Sequence, residues 1–163
     1  KGLQTLQWRA EDGNEDELTY AVHYRREGES TWTLLRDGLS DTILVWDTTT
    51  VPDGTYIVRV GASDAPNNAP TAALTGELES TAFDVDNTPA AITGASARVD
   101  GTRTIVAFEV RDNLSAVQRV EYSLDGVVWR GIFPADGMAD GRNERYEVAV
   151  DGRLGSRGLT VRA

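Results

Sequence analysis

Apolar residues recur at every second position along most of the chain. Leu6, Trp8 and Ala10 alternate with Gln7 and Arg9. Leu18, Tyr20, Val22 and Tyr24 alternate with Thr19, Ala21 and His23, and Tyr56, Val58, Val60 and Ala62 alternate with Ile57, Arg59 and Gly61. A period of two places successive side chains on opposite faces of an extended strand. Each run therefore predicts a strand with one face in a core and the other in water, as in antiparallel sheets. No stretch carries a helical stripe; residues 71–80 (TAALTGELES) are the best candidate for a single helical turn. Turn signals separate the runs: Arg36-Asp37-Gly38, Pro52-Asp53-Gly54, Asp125-Gly126, Asp136-Gly137 and Asp151-Gly152. Short strands at this spacing predict an all-β sandwich or barrel rather than a βαβ fold.

The pattern also repeats at long range. LQWRAED ends at Asp12 and VAFEVRD at Asp112; Val22, Tyr24 and Trp32 match Val120, Tyr122 and Trp129; VRVGA ends at Ala62 and LTVRA at Ala163. One register across three separate strands predicts two homologous domains, residues 1–87 and 88–163. They join near DVDNTPAA (84–91), where Pro89 after Thr88 favours an extended backbone.

Trp8 in an early strand, Tyr-x-Val-x-Tyr-Arg at Tyr20 to Arg25, a second tryptophan at Trp32 and VPDGTYIVRVGASD (51–64) together make residues 2–86 resemble a fibronectin type III domain. Residues 90–163, with VEYSLDG..W, are similar to bacterial Ig-like modules. The resemblance implies two tandem immunoglobulin-like (fibronectin type III-like) antiparallel β-sandwiches, with Trp8 packing the first core and Tyr56 fixing its corner. It also implies that the first sandwich lacks strand A and the second its C-terminal strand, so the chain is expected to be part of a longer polypeptide. Open strand edges would then be completed by neighbouring protein. The expected role is a non-catalytic spacer or interaction module of an exported bacterial protein, placed extracellularly, at the cell surface or in the periplasm. Its expected partners are other domains of the same polypeptide, a protein or a polysaccharide. The alternatives are a carbohydrate-binding accessory module and a calcium-stiffened adhesive linker.

Composition narrows the chemistry. The 163 residues include no cysteine and one histidine, which excludes disulfides and thiolate metal sites and disfavours Ser-His and Cys-His catalysis. Residues 1–86 hold 16 acidic and 6 basic side chains and residues 87–163 hold 10 of each. The acidic half repels phosphate backbones, so no nucleic-acid partner is expected. No apolar run reaches membrane-spanning length. Lys1 is the only lysine, a bias that fits a GC-rich bacterial genome.

Oxygen-rich loops are the remaining candidates. In EDGNEDE (11–17), Asp12, Asn14 and Asp16 offer oxygens at alternate positions, as a calcium loop does, although Glu17 and His23 stand where an EF-hand needs glycine and glutamate. The competing reading is a solvated turn. Asp84, Asp86 and Asn87 form a second, weaker set at the junction, where a strand end and turn explains them as well. No resident cofactor is expected beyond this candidate Ca²⁺. His23 falls on the polar side of its strand. Trp32 and Trp129 occupy matching places, which points to packing ahead of sugar stacking.

Overall fold

The computed structural model describes residues 2–152 and 158–163. The protein is all-β: among the described residues the one helical element is a 3-10 turn at Thr48–Thr50. Its contacts divide it into two compact units, Lys1–Asn87 and Thr88–Ala163. No helix of the described residues is long and apolar enough to cross a membrane.

In the first unit β1 (Leu3–Gln7) pairs antiparallel with β4 (Ile43–Asp47) as a two-stranded sheet. The larger sheet runs β3 (Thr33–Leu39), β2 (Thr19–Arg26), β5 (Gly54–Ser63) and β6 (Thr75–Glu79), and β7 (Phe83–Val85) shares the outer edge of β5 with β6. Side chains from both sheets meet in one core: Val22, Trp46, Tyr56, Val58 and Val85 are buried, with Leu6, Trp8 and Leu44 packed against them. The period-two reading of β2 and β5 therefore places the correct faces inward.

Trp8 packs against this core as expected, but the fully buried tryptophan is a second one, Trp46. Trp46, on β4, is 3% exposed and packs against Tyr24, Tyr56 and Phe83 with ring centroids 4.8, 6.0 and 6.5 Å away. Trp8 lies just beyond the end of β1, half-buried, edge-on to Tyr20 at 5.4 Å. The rings around Trp46 come from β2, β5 and β7 of the larger sheet, whereas among the described residues no strand pairs with the far side of β1. Tyr56 takes the corner role, its hydroxyl donating to the Pro52 carbonyl at 2.8 Å. The candidate helical turn at 71–80 resolves into a turn, with Ala72 and Ala73 N–H donating to the Ala69 carbonyl, followed by β6. Pairing Thr75–Glu79 with Arg59–Ser63 satisfies a β5 edge that a helix would leave bare.

The second unit contains β8 (Ala91–Asp100), β9 (Arg103–Arg111), β10 (Val120–Ser123), β11 (Arg130–Ile132), β12 (Asn143–Asp151) and β13 (Thr160–Arg162). They form two three-stranded sheets, β12-β9-β8 and β11-β10-β13. Its core gathers Val106, Phe108, Val110, Val120, Tyr146 and Val148, with Phe108 stacked on Tyr146 at 5.4 Å.

Candidate functional site

The acidic loop that follows β1 closes first on itself. Asp12 Oδ1 accepts the N–H groups of Asn14 and Asp16 at 2.8 and 3.1 Å. The loop after β5 then docks alongside it. Glu17 N–H donates to Asn67 Oδ1 at 3.0 Å, and Asn68 Nδ2 donates to Asp16 Oδ2 at 3.0 Å and to the Asp64 carbonyl at 3.2 Å.

Asp64 is the residue the sequence reading missed, and a signal for it exists. The inward positions of β5 run Tyr56, Val58, Val60 and Ala62, and the same period of two brings the next side chain, Asp64, inward. It is 3% exposed, and its Oδ1 accepts the Leu74 N–H at 2.6 Å. Carboxylate oxygens of Asp12, Asp16 and Asp64 lie within 4.8 Å of one another. Among the described residues no arginine forms an ion pair with any of the three. An all-oxygen set of this kind suits a hard cation such as Ca²⁺ and does not suit Zn²⁺. Asn14 is exposed and donates its backbone N–H to Asp12, while the carboxylates that the structure brings together are those of Asp12, Asp16 and Asp64. In the second unit Asp112, the counterpart of Asp12, likewise accepts the N–H groups of Leu114 and Ser115 at 2.9 and 2.8 Å.

The junction residues are engaged elsewhere. Asp84 Oδ1 accepts the Thr55 hydroxyl at 2.8 Å, while Asn87 donates its backbone N–H to Asp53 Oδ1 and its amide to the Thr48 carbonyl, both at 2.8 Å. Asp86 is half-buried between them in sequence. These bonds tie the end of the first unit to its own Thr48–Asp53 corner. His23 is half-buried on β2, opposite Leu34 of β3 and Arg59 of β5, and neither neighbour is a base or a nucleophile.

Trp32 and Trp129 are half-buried and lie outside the core clusters. The guanidinium groups of Arg25 and Arg59 lie over the Trp32 ring at 4.8 and 4.6 Å, and Arg162 lies over Trp129 at 4.1 Å. Each ring thus carries a cation–π contact on at least one face.

The first unit also contains a groove of about 600 Å³. Its lining includes Leu6 of β1 and the following Trp8, Leu78 of β6 and the preceding Leu74, together with Val58 and Phe83. Leu74 and Leu78 are 67% and 72% exposed, and the Trp8 indole N–H is buried without an acceptor.

No family model matches the chain, and no curated protein matches it. Among solved structures it is similar to the chicken CNTN1 FN1–FN3 domains, with 14% identity, a TM-score of 0.36 and 98% of this chain covered; the chain spans about half of that structure's length, 49%.

Proposed function

We propose that the chain is a non-catalytic spacer and interaction segment of a larger exported bacterial protein, built from two fibronectin type III-like or Ig-like β-sandwiches. The observation that supports this most directly is the presence of two compact units, each with its own apolar core. The polar side chains that could have formed a reactive centre instead hold loops and corners together, as at Asp12, Asn68, Asp84 and Asn87. Mechanical stretching of single molecules tests the reading. Two unfolding events are expected, each lengthening the chain by roughly 250–300 Å, the extended length of 76 to 87 residues. A single cooperative event, or hydrolytic activity that survives purification to homogeneity, contradicts it.

A second reading adds calcium. Asp12, Asp16 and Asp64 would hold the ion between two loops that already dock on each other, stiffening one end of the first unit. Three carboxylates this close, one of them buried, repel each other unless a cation sits among them. Calorimetric titration with Ca²⁺ is expected to show one site; a flat titration contradicts it.

A further inference from the structure

We propose that Asp37 is a site of spontaneous covalent modification: the Gly38 backbone nitrogen attacks its side-chain carboxyl, and the resulting cyclic imide opens to an isoaspartyl linkage within β3. The sequence holds eight Asp-Gly pairs, at Asp12, Asp37, Asp53, Asp100, Asp125, Asp136, Asp140 and Asp151. Glycine has no Cβ and so shields its own nitrogen least. Sequence alone therefore makes all eight candidates, and the fold separates them.

In four pairs the glycine nitrogen is held away from the preceding carboxyl. Gly126 N–H donates to Ser123 Oγ at 2.9 Å, and Gly137 N–H to the Pro134 carbonyl at 2.9 Å. Gly141 N–H donates to Glu144 Oε1 at 2.6 Å, and Gly152 N–H to the Thr102 carbonyl at 2.8 Å. In three more the carboxylate is engaged elsewhere. Asp12 Oδ1 accepts the Asn14 and Asp16 N–H groups, Asp53 Oδ1 accepts the Asn87 N–H at 2.8 Å, and Asp100 pairs with Arg98 at 3.5 Å. Asp37 is the exception: Gly38 N–H donates to Asp37 Oδ1 at 2.7 Å. The carboxyl carbon lies one C–O bond beyond that oxygen. Nitrogen and carbon are thus held less than about 4 Å apart, near the separation from which positioned groups react.

The local backbone leaves the ring room to close. β3 pairs with β2 through Arg36 and Val22 and through Leu39 and Tyr20, so Asp37 and Gly38 together stand against the single residue Ala21. This is a β-bulge, and its extra residue is free of the ladder. Asp37 and Gly38 are both exposed, and Gly38 has a φ of +66°, which glycine adopts without strain. A side chain placed at Gly38 would meet nothing within 4 Å.

The step needs no partner but water. The Gly38 nitrogen bonds to Asp37 Cγ, the bond from Cγ to its hydroxyl breaks, and the amide hydrogen leaves with that hydroxyl as water. A second water then opens the imide. Cleavage between the nitrogen and Cγ restores aspartate. Cleavage between the nitrogen and the Asp37 main-chain carbonyl carbon routes the chain through Cγ and adds one methylene to it. Leu39, which packs against the first core, lies two residues beyond, so the added methylene falls between two paired positions of β3.

The test is prolonged incubation of the whole 163-residue chain at neutral pH, folded and in urea. Proteolysis and mass spectrometry with electron-transfer fragmentation then localise isoaspartate. In the folded chain Asp37 is expected to convert about tenfold faster than any other Asp-Gly pair, through a species lighter by one water. In urea the eight pairs should convert alike, because the positioning is lost. Asp37→Asn reaches the same imide by losing ammonia, so it should gain isoaspartate at this position faster than wild type. Asp37→Glu, which must close a larger ring, should show no conversion there. Equal conversion of all eight pairs in the folded chain, conversion led by another pair, or a folded chain unchanged at Asp37 overturns the proposal. Equal preference for Asp37 in urea also overturns it, since the bulge would then play no part.

Discussion

Leu78 and Val60 face each other directly across the β5–β6 ladder, and only Val60 is covered by the core. Burial rather than residue type therefore sets what each apolar side chain contributes. Leu78→Ser is expected to change the unfolding free energy by less than about 0.5 kcal/mol, as for surface substitutions generally. Trp46→Ala, at the centre of the same unit, should cost about 3–5 kcal/mol. Urea unfolding monitored by circular dichroism separates the two; equal losses would mean that Leu78 is covered in solution.

The Tyr56 hydroxyl and the Pro52 carbonyl form the corner bond at 2.8 Å. Tyr56→Phe deletes the donor and should cost about 1 kcal/mol. Burial raises the phenol pKa of both Tyr56 and Tyr146 above 10.0. A folded pKa above the unfolded value gives stability that is fully present below pH 10 and is lost as pH rises through the folded values. Melting temperature should hold to about pH 10 and then fall. Tyr56→Phe should make the fall of the first unit shallower, and an unchanged alkaline slope would contradict that assignment.

Glu121 is the acidic counterpart in the second unit. Its carboxylate lies 2.6 Å from Arg119 and 2.7 Å from Arg162, and hydrogen bonds from Arg119 first and Arg162 second hold its pKa below the ordinary 4.5. Backbone N–H groups of Val128 and Val127 lower Asp125 in the same way. A depressed carboxyl pKa stabilises above the unfolded value, and that stability is lost as pH falls through the folded one. Thermal melts from pH 7 downward should show the second unit weakening below about pH 4.5. Glu121→Gln should weaken it at neutral pH and flatten the acid slope.

Much of this architecture is legible in the sequence, because a period of two is a local property that survives into the sheet. Val22, Tyr56 and Val58 are buried where alternation puts them. Partners set by pairing across the chain are less legible. Matching Ala62 to Ala163 aligns Val60 with Val161, but the ladders place Val58 opposite Tyr24 and Val161 opposite Tyr122. Arg59 is thereby the counterpart of Arg162, as their stacking on Trp32 and Trp129 independently requires. Trp46 was illegible for the same reason: nothing in ILVWD (43–47) states that its ring meets others from β2, β5 and β7 of the larger sheet. The acidic trio was half legible, since Asp12 and Asp16 share a loop while Asp64 arrives from 48 residues beyond Asp16.

Asp64 gives the last prediction, because it has two roles that substitution can separate. As an acceptor it satisfies the Leu74 N–H at 2.6 Å; as a charge it opposes Asp12 and Asp16. Asp64→Asn keeps an acceptor oxygen and removes one of three like charges, so in calcium-free buffer it should melt at or above the wild-type temperature. Asp64→Ala removes the acceptor of the part-buried Leu74 N–H and should cost about 1 kcal/mol. With millimolar Ca²⁺ the wild type should gain stability according to RT ln(1 + [L]/Kd), whereas both variants should respond weakly. If Asp64→Asn melts below wild type without calcium and gains as much from it, the three carboxylates do not act together and the acidic loop is a structural turn.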